Sequence, residues 1–600
     1  MKSNLFLGSI SASLLALTQA ALPIVDLGYN VHQATLNSSG SGYFNFSNIR
    51  YAEPPVGPLR FNPPVAPSGR NTTVVSGGNN VMCPQAHPAW SADALKFLTA
   101  YLTGQNISSY TNPTVTQTPA MMNLSSVMMP DSQTSEDCLF LDVIVPEKVF
   151  NAKRNKTTNG YHGVSCQPGQ NCTVHAGAPV LVWIYGGGYT GGSKTSEGNP
   201  ASLISRSVEN NGEGVVYVAM NYRLGLFGWL AGNENVTANV GLLDQKLALD
   251  WIQDNISLFG GDPSRVTVMG ESAGGGSIMH HITSYAGMGS VPFQRAISQS
   301  PAFEPVIPEQ SEALFSQVLG NASELTNRTV STADDLRALS FESLFTLNAM
   351  LVGLSNYGLF SFGPVIDPTP GSYVPDIPIR LIANGSYHNV SIMVGHNSNE
   401  GIYFTPPSIQ TQEESIRTFS ILFPGANEST ISTIVDDLYP PVYNGTYGYK
   451  NVIDRTSLVI SNFLVTCNSY YLTKTLPSSY GYIFQVPPGL HGQDIAYTFF
   501  NGDSSTLNDG VVVNTTVATA FQRYLTSFAM TGLPVAEGVP DFTMYGDNST
   551  VSSISSRVFS IPEIGEHIVD PGAMEKQCRF WAEAPYYNMP MHDGWSTDSH

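Results

Sequence analysis

Residues 265–285 constrain this chain more than any other stretch. Arg265-Val-Thr-Val-Met is an apolar, β-branched run of strand character. Gly270-Glu271-Ser272-Ala273-Gly274 follows it at once, and Gly274 to Tyr285 has the composition of a helix. A Gly-x-Ser-x-Gly alone is short enough to occur by accident. Between a strand and a helix it describes a sharp, strained turn that lifts the serine hydroxyl clear of the backbone, with small residues letting strand and helix approach. The hydroxyl then lies at a helix N-terminus, where the helix dipole favours developing negative charge. Ser272 is the candidate nucleophile.

The surrounding sequence repeats the strand-then-helix pattern. Pro179-Val-Leu-Val-Trp-Ile-Tyr, Gly214-Val-Val-Tyr-Val-Ala-Met, Ala296-Ile-Ser-Gln-Ser, Ile392-Met-Val-Gly and Gly481-Tyr-Ile-Phe-Gln-Val read as further strands. Leu242 to Phe259 carries Leu243, Leu247, Trp251, Ile252 and Leu258 at helical spacing, and 308–356 and Val517 to Met530 also read as helical. Strands alternating with helices predict an α/β fold with a large, mainly parallel central sheet covered by helices on both faces. Ala21 to Gly77 reads as short strands and turns, 84–137 as a long irregular stretch, and about 147–178 as a polar surface insertion.

A hydroxyl attacks poorly unless a base removes its proton. Where a serine sits on such a strand–helix turn, the acid and then the histidine follow it in the chain. His491 lies in a loop, Pro487-Pro-Gly-Leu-His-Gly-Gln-Asp, just after a strand; His388 and His396 compete with it on spacing, whereas His280 and His281 fall on the helix behind the serine. For the acid, Glu400 follows the strand at Ile392, and Asp367 and Asp494 are rivals. Tyr185-Gly186-Gly187-Gly188-Tyr189 ends the strand at Val180, so its glycines leave backbone N–H groups open to a developing oxyanion.

Net charge is −20, from 26 basic and 46 acidic residues, with no basic run beyond Lys153-Arg154. That argues against nucleic acid, whose phosphates require clustered Lys and Arg, and against an anionic membrane surface. Residues 1–20 have a secretory leader's order: Lys2, an apolar Leu5 to Leu17, and small residues before Ala21. Seventeen Asn-x-Ser/Thr sequons, among them Asn37, Asn106, Asn235, Asn321, Asn384 and Asn514, agree with an exported glycoprotein. Six cysteines suit an oxidising compartment, although spacing alone cannot pair them. No Cys-x-x-Cys or His-x-x-x-His pair suggests a metal, and the later run lengths predict no stable membrane insertion.

Long, ordered pieces of the chain resemble the type-B carboxylesterase/lipase family, the cholinesterase-like α/β-hydrolases. They are Ser135-Glu-Asp-Cys-Leu-Phe-Leu-Asp-Val, Trp183-Ile-Tyr-Gly-Gly-Gly-Tyr, Asn221-Tyr-Arg-Leu-Gly-Leu-Phe-Gly, Gly241-Leu-Leu-Asp-Gln through Leu258-Phe-Gly-Gly-Asp-Pro, Gly270-Glu-Ser-Ala-Gly-Gly, Phe360-Ser-Phe-Gly-Pro-Val-Ile-Asp, Asn399-Glu-Gly and His491-Gly-Gln-Asp. The resemblance spans roughly residues 25 to 585. It implies an α/β-hydrolase fold with a disulfide-closed lid-type loop, and one catalytic domain over 21–600 behind a signal peptide. It implies a Ser272–Glu400–His491 triad, oxyanion donors at Gly187, Gly188 and Ala273, and substrate contacts at Phe360, Gly358 and Tyr189. It further implies disulfides Cys83–Cys138 and Cys467–Cys578, leaving Cys166–Cys172 as a local pair in the insertion. The implied activity is hydrolysis of small-molecule or lipid esters without cofactor. An interfacial lipase is the rival reading; a non-catalytic adhesion protein is a remote one, since all three triad positions carry reactive residues. Met121-Met122 and Met128-Met129 in the lid-type loop suit adaptable contact with lipid-like ligands or plain core filling. Trp90 is off the spacing of the family's cation-binding tryptophan, which speaks against choline esters.

Overall fold

The structure is a computed structural model that describes residues 22–36, 42–78, 80–110, 130–152, 177–502, 512–535, 537–538, 542, 544–545, 550–558, 561–569 and 575–587. The leader, the methionine-bearing part of the lid-type loop, most of the insertion with Cys166 and Cys172, and the last residues lie outside this set.

In chain order the strands are β1 (Ile24–Asp26), β2 (Val31–Gln33), β3 (Thr35–Leu36), β4 (Tyr43–Arg50), β5 (Val74–Val75), β6 (Phe140–Pro146), β7 (Ala178–Ile184), β8 (Val216–Met220), β9 (Gly261–Glu271), β10 (Arg295–Gln299), β11 (Ser391–Asn397), β12 (Ser479–Phe484), β13 (Thr550–Val558) and β14 (Ile561–Val569). Strands β1, β2 and β5 form a small sheet; the rest form one eleven-stranded sheet in the order β14-β13-β12-β11-β10-β9-β7-β8-β6-β4-β3. From β8 to β13 every neighbouring pair is parallel, and antiparallel strands close both ends. The parallel strands read as near-continuous apolar runs because both their faces are covered: all seven residues of β7 are buried. Helices Val240–Asn255, Ala273–Ile282 and Thr515–Thr531 carry the connections.

Two of the motif pieces that carried the resemblance are joined in the core. Arg223, of Asn221-Tyr-Arg, donates from Nε and Nη2 to the two carboxylate oxygens of Asp244, of Gly241-Leu-Leu-Asp, at 2.8 and 2.7 Å. Both side chains are buried, and Asp244 also accepts from the Arg223 backbone N–H. Removing one member of such a pair strands a buried charge. Arg223→Met is therefore expected to destabilise the fold by about 3–5 kcal/mol, read as a lower denaturant midpoint. Arg60 holds Glu136 in the same two-pronged way at 2.7 and 2.6 Å.

The disulfides Cys83–Cys138 and Cys467–Cys578 are present, as the resemblance implied. The stretch 84–137 departs from its irregular reading, because Trp90–Leu102 is a helix burying Trp90, Ala94, Phe97, Leu98 and Ala100. Its Trp90 donates its indole N–H to the Leu359 carbonyl at 2.9 Å and packs in an aromatic cluster with Tyr357, Phe360, Tyr403 and Phe404.

Candidate active site

Parallel strands that neighbour one another in the sheet bring their carboxyl ends to one edge, where open α/β sheets gather functional groups. Ser272 follows β9, the glycine run follows β7, Glu400 follows β11 and His491 follows β12; β10 lies between β9 and β11. Residues scattered over more than three hundred positions of sequence are thus neighbours in space.

Ser272 has φ 54° and ψ −121°, a conformation unfavourable to any side chain. The surrounding backbone imposes it: the Ser272 N–H donates to the Gln299 carbonyl at 3.0 Å, and its own carbonyl accepts from Gly276 and Ala302 at 2.8 and 3.1 Å. Gly274 is required by close approach, since a Cβ there would lie 2.0 Å from the Ile184 carbonyl oxygen.

The Ser272 hydroxyl is 2.8 Å from His491 Nε2, and His491 Nδ1 is 2.5 Å from Glu400 Oε2. Glu400 is fully buried. Burial opposes its ionisation, but the imidazole of His491, with help from His396 and the Ser300 hydroxyl, holds its carboxyl below the usual range. An ionised carboxylate only accepts, so Nδ1 carries the proton and Nε2 is left to accept from the serine. The other carboxylate oxygen accepts from Ser300 Oγ at 2.7 Å and the Asn397 N–H at 2.5 Å, which fixes its orientation.

The competing candidates fall elsewhere. Asp494 is engaged by Tyr482 Oη, Gln299 Nε2 and Asn397 Nδ2 at 2.8, 3.0 and 3.1 Å, and burial pushes its carboxyl up. Asp367 accepts from the Thr369 N–H in a turn. His388 meets Ser284, His396 meets the Asn397 carbonyl, and His281 lies between Tyr373 and Gln245. His280 packs against the Phe303 ring.

Gly188 and Ala273 line one cavity with Ser272, together with Tyr189, Gly358 and Phe360. The cavity measures 270 Å³, close to the lower end of the roughly 300–1,000 Å³ typical of ligand sites. Gly187 and Gly188 have φ of +93° and +62°. A Cβ on Gly188 would lie 2.2 Å from the Phe360 ring, so this turn admits no side chain. The loop after Cys83 braces it: Gln85 Oε1 accepts from the Gly192 N–H at 2.9 Å, and the Ala86 N–H donates to the Thr190 carbonyl at 2.9 Å.

Sequence reasoning left out Ser300, Asn397 and Glu271. Ser300 and Asn397 sit at the ends of β10 and β11, a strand-end position that marks them. Glu271 Oε1 is 3.7 Å from His491 Nε2. Burial, then the charges of Asp494, Glu197 and Glu400, push its carboxyl well above the usual range beside the imidazole. Among the described residues no cluster of His, Cys, Asp and Glu is arranged to hold a metal, and no helix is long and apolar enough to cross a membrane.

The profile of the carboxylesterase family matches residues 31–581. The chain belongs to the carboxylesterase family. Among its relatives, carboxylesterase patB of Penicillium expansum is 38% identical over 96% of this chain and 99% of its own. Lipase 2 of Diutina rugosa is 29% identical over 76% of this esterase and 78% of its own chain. The crystal structure of Aspergillus niger EstA, 22% identical, superposes with a TM-score of 0.71 over 94% of this esterase and 98% of EstA, so the fold is that of an α/β-hydrolase. Membership and full-length similarity to carboxylesterases make the protein a carboxylic ester hydrolase acting on small-molecule esters.

Proposed function

We propose that this esterase cleaves its substrates by acyl transfer through Ser272. His491 takes the serine proton as Oγ attacks the ester carbonyl, and the same imidazole protonates the departing alcohol. Water, deprotonated by His491, then hydrolyses the acyl-enzyme. Glu400 keeps the imidazole in the tautomer that accepts from serine and stabilises the imidazolium. The amides of Gly187, Gly188 and Ala273 bind the oxyanion. The observation that carries this reading is the unbroken chain of hydrogen bonds from Ser272 through His491 to Glu400.

Gly188→Ala tests the oxyanion assignment. The added Cβ forces the turn away from Phe360 and displaces an amide, so kcat measured on the folded variant is expected to fall about 10²–10³-fold.

In the same reading residues 21–600 are one catalytic domain, supported by one sheet that draws strands from Thr35 to Val569. Export through the 1–20 leader is supported by two disulfides among the described residues, which suit an oxidising compartment, and by relatives named as secreted lipases. The cavity is modest, with Phe360 and Gly358 on its acyl side, and this favours dissolved esters of moderate size over emulsified fat. Rate measured against concentration of a sparingly soluble ester checks that choice. A plateau reached below the solubility limit is expected, whereas a rise only once an emulsion forms makes the protein an interfacial lipase.

A further inference from the structure

The wall of the cavity carries a carboxyl residue that the proposed reaction does not use. Ser300-Pro301-Ala302-Phe303-Glu304 runs on from β10, and Ala302, Phe303 and Glu304 all line the cavity. The loop is anchored at both ends of this stretch. The Ala302 N–H donates to the Ser272 carbonyl, and the Pro305 carbonyl accepts from the buried Tyr587 hydroxyl. Glu304 is two residues beyond Ala302, which places its backbone within about 7 Å of a residue bonded to the nucleophile.

Among the described residues, no hydrogen bond or ion pair engages the Glu304 carboxyl, and it is the one carboxyl among those lining the cavity. The residue lies deep in the fold yet keeps accessible surface, because the cavity reaches it. Burial pushes its carboxyl up to about 7, so it carries a proton for much of the time at neutral pH. Phe303, Phe360, Phe362, Leu314 and Leu464 give the cavity apolar walls that suit an aliphatic chain, with Gln310, Asn356 and Ser361 as its other polar lining, and the Glu304 carboxyl faces this space with no protein partner.

We propose that Glu304 is a specificity residue that hydrogen-bonds a hydroxyl on the substrate's acyl chain, several carbons from the ester carbonyl, so that the enzyme prefers hydroxylated acyl esters to plain ones of equal length. The proposal rests on Ser272 as nucleophile, since it is the acyl group on that oxygen that enters the cavity. A carboxyl poised between its two forms suits a neutral hydroxyl, because it accepts from it when ionised and both donates and accepts when protonated.

The test compares p-nitrophenyl hexanoate with its terminally hydroxylated counterpart on the wild-type enzyme, Glu304→Gln and Glu304→Leu. In the wild type the hydroxylated ester is expected to show the higher kcat/KM. In Glu304→Leu the ratio of hydroxylated to plain ester falls about 10- to 100-fold, because the hydroxyl is then buried without a partner, while the plain ester is cleaved at least as well. Glu304→Gln, which still accepts and donates, keeps the ratio within a few-fold. A wild-type enzyme with no advantage for the hydroxylated ester overturns the proposal without recourse to any variant. So does a ratio unchanged in a Glu304→Leu enzyme that still cleaves the plain ester. Hydrolysis of the plain ester reports on the triad alone, so a failure of the Ser272 reading shows separately as plain-ester hydrolysis that persists in Ser272→Ala.

Discussion

Ser272→Ala and His491→Ala are each expected to lower kcat by about 10⁶, and the double variant to fall no further. The two side chains act as one unit: Oγ is a nucleophile only while Nε2, 2.8 Å away, accepts its proton, and Nε2 has no other proton to take at that step. Removing either partner abolishes the same step. The activity that remains reflects substrate binding and the amides of the glycine turn, which neither substitution touches. Ser272 is replaced by a residue that keeps the Gly276 and Ala302 backbone bonds, so folding is unaffected. Pre-steady-state and steady-state rates on a chromogenic ester, with the thermal midpoint as a check on folding, measure the effect. Losses that multiply in the double variant would contradict a shared step.

Glu400→Gln is expected to lower kcat by about 10⁴ while leaving KM within a few-fold. The reason is the inventory of donors around the carboxylate. Oε1 accepts from the Asn397 N–H, which cannot turn round, and from the Ser300 hydroxyl; Oε2 faces His491 Nδ1. A glutamine must put its carbonyl oxygen against the Asn397 N–H, because its NH₂ would collide with that donor. Its NH₂ then faces Nδ1, which must become an acceptor. The ring shifts its proton to Nε2, and the serine loses its base. In the wild type the carboxylate is held below the usual range, so it stays ionised through the mildly acidic pH at which ordinary carboxyls begin to protonate. Rate measurement on Glu400→Gln, with Glu400→Asp as a partial rescue, checks the assignment. A glutamine variant of near wild-type rate would mean that Glu400 only fills space.

The parts of the site that the sequence made legible are those whose chemistry is local. Gly270 to Gly274 needs its glycines for a turn within the motif, and Gly186 to Gly188 for a turn at the end of β7. Both requirements are written in consecutive residues. The acid was not legible in that way. Glu400 is the best placed carboxylate on spacing, yet Asp367 and Asp494 stay open as rivals. What separates them is a set of side chains from three different strands: Tyr482, Gln299 and Asn397 surround Asp494, while Ser300 and His491 meet Glu400. Only the resemblance to a family supplied that choice from sequence. The helix Trp90–Leu102 shows the opposite failure. Trp90, Ala94, Phe97 and Leu98 recur at i, i+4, i+7 and i+8, a readable helical face, yet prolines and polar residues on both sides hid it. Strand β13 went unread because Ser552, Ser553, Ser555 and Ser556 break the apolar alternation that marks a strand, and β14 because Pro562 and Gly565 interrupt it. Glu304 was invisible for a different reason: a glutamate in a loop reads as solvated until the fold closes a cavity over it.

The same geometry explains why the buried ion pairs matter to function. Arg223 and Asp244 join the segment after β8 to the helix Val240–Asn255, and Tyr222, the neighbour of Arg223, donates its hydroxyl to the Tyr185 carbonyl at 2.9 Å, at the residue that opens the glycine turn. Positions far from the serine in sequence thereby set the angle at which the Gly187 and Gly188 amides are presented.

The measurement that bears most directly on the role of Ser272 is labelling with a fluorophosphonate followed by peptide mass spectrometry. Such a reagent reacts only with a serine whose proton is being withdrawn. The account predicts one adduct per chain, on the peptide that contains Ser272, lost in Ser272→Ala and formed far more slowly in His491→Ala. An adduct on any other residue, or an intact wild-type protein that hydrolyses esters and takes no label, would contradict it.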